Sequence, residues 1–98
     1  QILRYEVFMD KCEQLSEVFK VLGNPVRLSV LKHVSGVECC VSEIEGKLNL
    51  PQSTVSQHLS VLKRMGIVKP VRQHKEVTYV LVNDFVKELL GLCCKYSS

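Results

Sequence analysis

Ninety-eight residues, 46% of them apolar and 23% charged, suit one small hydrophobic core and argue against a disordered chain. No apolar run reaches the roughly 20 residues of a membrane helix, and acids inside the N-terminal stretch QILRYEVFMDKCEQ exclude a secretory signal. The net charge is only +3, but Gly46 to Lys75 holds no Asp or Glu and carries Lys47, Lys63, Arg64, Lys69, Arg72 and Lys75 with His58 and His74. Such a basic stretch is expected of a phosphate-binding surface, against the plainer alternative of a solvated basic face. A single domain over residues 1–98 in the cytoplasm is the expectation.

In chain order, residues 2–22 read as a long first helix. Phe8, Cys12, Leu15, Phe19 and Leu22 recur at helical spacing, and Val7, Val18 and Val21 widen the stripe. A stripe this broad is expected to meet a second subunit as well as the core. Gly23-Asn24-Pro25 breaks the helix. A second helix, roughly 25–35, has Pro in its first turn, where the missing N–H does no harm. It offers Val26, Leu28, Leu31 and Val34 to the core and stops at Ser35-Gly36. Val37-Glu38-Cys39-Cys40 then leads into the most informative stretch of the chain.

Ser42 to Gly66, SEIEGKLNLPQSTVSQHLSVLKRMG, reads as two short helices joined by a tight turn. Ser42 is the expected cap of the first, whose apolar positions are Ile44 and Leu48. Asn49-Leu50-Pro51 ends it, since Pro disfavours a helical residue before it. The second begins near Pro51 or Gln52, with Ser53 as the alternative cap. Its apolar stripe is Val55, Leu59, Leu62 and Met65 or Gly66; the opposite face holds Ser53, Ser56, Gln57, Ser60 and Lys63. Short hydroxyls and an amide near a helix N-terminus can reach base edges and phosphates. A helix-turn-helix places its second helix in the major groove. A helical hairpin with a solvated polar face is the alternative.

Beyond Gly66 the period changes. IVKPVRQ and EVTYVLV are rich in β-branched residues and predict two antiparallel strands. Pro70 confines the first to a sheet edge. His74-Lys75 lacks the usual Asn-Gly chemistry, so a loop longer than two residues is expected. Arg72, His74 and Lys75 at its tip make this ribbon a wing that can touch phosphate or the minor groove. Asn83 or Asp84 caps a last helix, roughly 84–95, with a stripe of Phe85, Leu89, Leu92 or Cys93, and Tyr96. The expected fold is mainly α with a small β-hairpin.

With these elements in place, the chain resembles the ArsR/SmtB family of bacterial winged-helix repressors. The residues that carry the resemblance are LGNPVRLSVLKHV (22–34), ECCVSEIEGKLNL (38–50), PQSTVSQHLSVLKRMGIV (51–68) and VRQHKEVTYVL (71–81). The resemblance implies a homodimer built from the first and last helices, double-stranded operator DNA as partner, and release when a metal, metalloid or oxidant meets a sensor site. It assigns DNA contacts to Gln52, Ser53, Ser56 and Gln57 of the reading helix and to Arg72 and Lys75 of the wing; Thr54 and Lys63 of the same helix complete the expected DNA-binding set. His58 is expected to pack on its helix rather than to act as a ligand.

Five cysteines, Cys12, Cys39, Cys40, Cys93 and Cys94, are the candidates for the sensor. The odd number and an expected reducing compartment argue against a disulfide framework. Zinc is disfavoured: the last helix, DFVKELLGLCCKYSS, has no His, and a Cys-Cys pair without partners does not fit a tetrahedral site. Arsenite needs about three thiolates, from Cys39 and Cys40 with a third, or from Cys93 and Cys94 with Cys12. Thiol oxidation needs only the adjacent pair Cys39-Cys40, in which one sulfenic acid is resolved by its neighbour. A sulfur bridge from Cys40 to Cys93 or Cys94 is a further option. Cys12 and Cys93 are otherwise expected as core or interface residues. The expected function is a dimeric repressor relieved by thiol chemistry, with reversible oxidation of Cys39-Cys40 as the lead and arsenite or another soft ion as the alternative. No cofactor is required, and no catalytic motif marks an enzyme.

Overall fold

The computed structural model describes residues 2–35 and 39–96, with side chains described for 11–35, 40–72 and 74–96. Val7 and Phe8 of the expected stripe, Gly36 of the expected helix stop, and the Cys39 thiol lie outside the described residues. The elements are α1 (Ile2–Leu22), α2 (Pro25–Val34), β1 (Cys39–Cys40), α3 (Val41–Leu48), α4 (Gln52–Arg64), β2 (Val68–Gln73), β3 (Glu76–Leu81) and α5 (Asp84–Tyr96). This is the expected order of helix, helix, helix-turn-helix, wing and helix, with one addition. Cys39-Cys40, read as plain connection, forms a third strand: Cys39 pairs with Tyr79 and Cys40 with Thr78. The sheet order is β1-β3-β2, so Pro70 does lie on an edge strand, opposite Tyr79.

The core is built where five helices meet the sheet, with Val21 and Leu22 as the contribution of α1. Val30, Leu31 and Val34 of α2, Ile44 of α3, Val55, Leu59 and Leu62 of α4, and Ile67, Val68, Leu81 and Val86 are all buried together. Each large side chain so buried contributes about 1.5–3 kcal/mol. Two expectations for α2 are corrected. Val26 and Leu28 are each 37% exposed, and Val30 takes the inward place between Leu31 and Val34. The helix turns its Val30–Leu31–Val34 face inward, and Val26 and Leu28, one turn nearer its start, are left at the margin of that face.

The helix ends explain the path of the chain. Asn24 caps α2, its Oδ1 accepting from the Arg27 N–H at 3.0 Å. The expected Ser42 cap is not used: the N-cap of α3 is Cys40, and the Ser53 alternative for α4 gives way to Pro51. Asn49 ends α3 in the left-handed region, with φ 54°, a conformation that Asn tolerates better than most residues. Gly66, φ 73°, ends α4. There the Gly66 N–H donates to the Lys63 carbonyl at 3.0 Å and the Ile67 N–H to the Leu62 carbonyl at 2.9 Å. This bond pair with its buried Leu62–Ile67 contact is a Schellman ending, and it aims the chain directly into β2. The wing loop is tighter than expected. Gln73 pairs with Glu76, leaving only His74-Lys75 between the strands. His74 supplies the required positive φ of 57° in place of Asn or Gly. Asn83 Oδ1 accepts from the Val86 N–H at 3.0 Å and starts α5.

Candidate nucleic-acid interface and thiol pair

Helix α4 has two faces set by its sequence. Val55, Leu59 and Leu62 are fully buried, each at 0% exposure. Ser53, Gln57 and Ser60 stand diametrically opposite, at 3.6 residues per turn, and all three are exposed. Gln52 and Lys63 are exposed on one flank, while Thr54 and Ser56 are half-buried. Ser60, which lay outside the contact set drawn from the sequence, thus shares the crest with Ser53 and Gln57. No side chain caps the N-terminus of α4 and no acid occupies its first turn. The positive end of this 13-residue helix therefore has no acid of its own first turn to offset it.

The six Lys and Arg residues of the acid-poor stretch are all exposed: Lys47 on α3, Lys63 and Arg64 at the end of α4, Lys69 and Arg72 on β2, and Lys75 in the wing turn. The fold thus puts basic charge on the helix-turn-helix and on the ribbon that follows it. An acid-free run of sequence has become a set of solvent-facing cations.

His58 is half-buried behind the crest, and it has a partner that sequence spacing does not reveal. Arg27 Nε donates to His58 Nδ1 at 3.4 Å, and Arg27 Nη1 donates to the Val21 carbonyl at 3.1 Å. One guanidinium thereby ties the end of α1 and the start of α2 to α4. Burial, and then the Arg27 charge, hold the His58 imidazole below its ordinary pKa.

The backbone of Cys39 and Cys40 lies at the root of the wing. Cys40 is buried at 8% exposure, paired with Thr78 through its backbone, and caps α3. Its thiol donates to Glu43 Oε1 at 3.2 Å and lies 3.1 Å from Ser42 Oγ. Its N–H also donates to Glu43 Oε1, at 3.3 Å. The thiol bond and then the N–H bond hold the Glu43 carboxyl below the ordinary carboxylate range, Lys47 adds to this, and desolvation opposes it. Cys40 is therefore a structural cap as well as a thiol. Cys12, Cys93 and Cys94 are exposed on α1 and α5. For Cys12 and Cys93 this corrects the expectation of a core position within one chain. Among the described residues no three His, Cys, Asp or Glu side chains gather as a metal-binding set.

Several known proteins resemble this chain. Residues 24–69 match the family described as bacterial regulatory protein, arsR family. An uncharacterized HTH-type transcriptional regulator of Methanocaldococcus jannaschii is 41% identical over 85 residues, covering 86% of this chain and 96% of that protein. The HTH-type transcriptional repressor SmtB of Mycobacterium tuberculosis is 34% identical over 76% of this chain, which spans only 55% of that longer protein. Among solved structures, reduced HlyU from Vibrio cholerae superposes with a TM-score of 0.86 at 29% identity, over 95% of this chain and 99% of that one. The homodimeric winged helix-turn-helix DNA-binding domain Mb0332 of Mycobacterium bovis superposes with a TM-score of 0.79 at 27% identity, over 88% and 80% respectively.

Proposed function

Because the chain belongs to the ArsR/SmtB family of winged helix-turn-helix transcriptional regulators, we propose that it is a dimeric DNA-binding repressor whose operator affinity is relieved by oxidation of Cys39 and Cys40. The observation that carries the DNA reading is the exposed polar crest of α4 beside an uncapped helix N-terminus and an exposed basic wing. In the proposed complex α4 lies in the major groove. Gln57 and Ser53 meet base edges, a Gln amide being suited to the paired donor and acceptor of adenine. Gln52, Thr54, Ser56 and Lys63 flank them toward the phosphates, and Arg72 and Lys75 meet the backbone beside the groove.

Dimerisation through α1 and α5 is supported by what those helices leave uncovered. Leu15 is 43% exposed, Phe19 51%, Phe85 43% and Leu92 53%. Phe19 and Phe85 meet edge to face at 6.3 Å, which makes one continuous apolar patch from two helices. The homodimeric state named for the M. bovis domain is consistent with this arrangement.

The proposed switch consumes one peroxide per thiol pair. One thiol is oxidised to a sulfenic acid with release of water; the second displaces a second water and closes the disulfide. For Cys40 this means losing the proton it donates to Glu43 and leaving its place as the cap of α3. The strand pair at the wing root and the start of the helix-turn-helix then change together. Repression is the proposed sign, as named for SmtB; HlyU of V. cholerae is named an activator.

The test uses duplexes selected from a random pool by the reduced protein, with binding followed by fluorescence anisotropy. Peroxide is expected to lower affinity about tenfold or more and to remove two hydrogens from the Cys39-Cys40 peptide. Cys40→Ser should bind DNA and ignore peroxide. Equal release of Cys40→Ser and the parent protein would refute the switch. A binding constant indifferent to salt would refute the phosphate-contact surface itself.

A further inference from the structure

The flank of α5 that faces away from its apolar stripe borders a second feature, a cleft of about 310 Å³ between α2 and α5. That volume is at the small end of the roughly 300–1,000 Å³ usual for small-molecule sites. Leu28 of α2 with Leu90 and Gly91 of α5 supply its apolar surface, Lys32 and Lys87 stand on its two walls, and Cys94 lines it on the α5 side. Gly91 carries no side chain to fill the space, and a Cβ there would meet nothing within 4 Å. None of the described residues that line the cleft is acidic. The last turn of α2 brings a negative helix end of about half a charge, so two ammonium groups leave the cleft clearly positive.

We propose that this cleft binds a small amphipathic carboxylate, its alkyl chain against Leu28, Leu90 and Gly91 and its carboxylate between Lys32 and Lys87. Both parts of the ligand are set by the lining. An apolar wall alone would accept an alcohol or an amine of the same length, whereas a lysine on each helix selects the anion. The site stays open in a dimer formed through α1 and α5. At 3.6 residues per turn, Lys87, Leu90 and Cys94 occupy the flank of α5 opposite Phe85, Leu92 and Tyr96. The proposal does not depend on the Cys39-Cys40 switch and is tested without DNA.

The probes are octanoate, octan-1-ol and octylamine, titrated into the intact reduced protein by calorimetry. Alkylation of Cys94 and Cys12 by iodoacetamide is followed by peptide mass spectrometry. Octanoate is expected to saturate, with the alcohol and the amine each about tenfold weaker or worse. The double variant Lys32→Gln/Lys87→Gln should lose about tenfold in octanoate affinity. Both lysines are exposed, so the variant keeps its fold, which circular dichroism checks. Bound octanoate should slow alkylation of Cys94 and leave Cys12, exposed on α1, unchanged. Absence of saturable binding overturns the proposal. So do equal affinities for octanoate and octanol, an unaffected lysine variant, or equal protection of Cys12 and Cys94.

Discussion

Helices α4 and α5 have the same length, 13 residues, and comparably spaced apolar positions. In α4 the stripe Val55, Leu59 and Leu62 is fully buried, while in α5 only the half-buried Leu89 of the expected stripe packs on the core, and Phe85, Leu92 and Tyr96 are 43%, 53% and 77% exposed. The pattern is the same and the outcome opposite because α4 lies against α2, α3 and β2, whereas α5 buries a different residue, Val86, and turns its aromatics outward. Periodicity says that a helix has an apolar side; it does not say whether the same chain covers it. The difference assigns the two faces different work. In the proposed complex one holds the reading helix in place, and the other is the proposed contact with a second subunit.

The largest expected effect breaks the buried side of this comparison. Leu59→Ala leaves a cavity at the centre of the core and should cost about 2–5 kcal/mol in urea unfolding. A cost near that of a surface change, below about 0.5 kcal/mol, would mean that α4 does not anchor the fold. The exposed side should respond in another currency. The double variant Phe19→Ala/Phe85→Ala removes the edge-to-face pair and the centre of the apolar patch. It should weaken self-association by about 2 kcal/mol or more, read by sedimentation equilibrium, and cost the dilute protein only the ring pair itself, about 0.5–1.5 kcal/mol in urea unfolding. A large loss of stability at dilution, with no change in association, would turn α1 and α5 into ordinary core. Gly66→Ala lies between the two regions. At φ 73° an added Cβ has open space around it, so the cost is backbone strain alone, about 1–2 kcal/mol. A smaller cost would show that the Schellman ending can relax.

Much of this was legible in the residues. Pro, Gly and Asn marked the ends of α1, α3 and α4 because those residues act through their own backbones. The span of the first helix, the edge position of Pro70 and the Val55, Leu59 and Leu62 stripe also follow from local rules. What was not legible depends on distant partners. Cys39-Cys40 became a strand because β3 offers an edge to it, and nothing within the two residues says so. Val30 displaced Val26 and Leu28 from the core because packing against α4 fixes how α2 is rotated. The tight wing turn was missed because His can adopt the positive φ usually read from Asn or Gly. For the candidate site, the crest of α4 and the basic stretch were both visible as patterns. The Cys40–Glu43 cap has a local signal, an acid three residues on. The Arg27–His58 link spans 31 positions and left no trace in any spacing.

That link gives the smallest effect and the finest test of how the reading helix is held. An unfolded His58 titrates near the ordinary 6.5, and in the fold burial and Arg27 lower its pKa. As pH falls, the unfolded chain therefore takes up this proton first. The contribution of His58 is complete above about 6.5 and is lost as pH falls from there through the folded pKa. Protonation also turns Nδ1 from the acceptor of the Arg27 bond into a donor facing a guanidinium, so the tie from α1 and α2 to α4 is opposed in the same window. Urea midpoints at about pH 7.5 and about pH 5.5 should fall further for the parent protein than for His58→Asn, whose side chain does not titrate. Parallel falls would show that the imidazole is not linked to folding and that the Arg27–His58 bond does not hold α4.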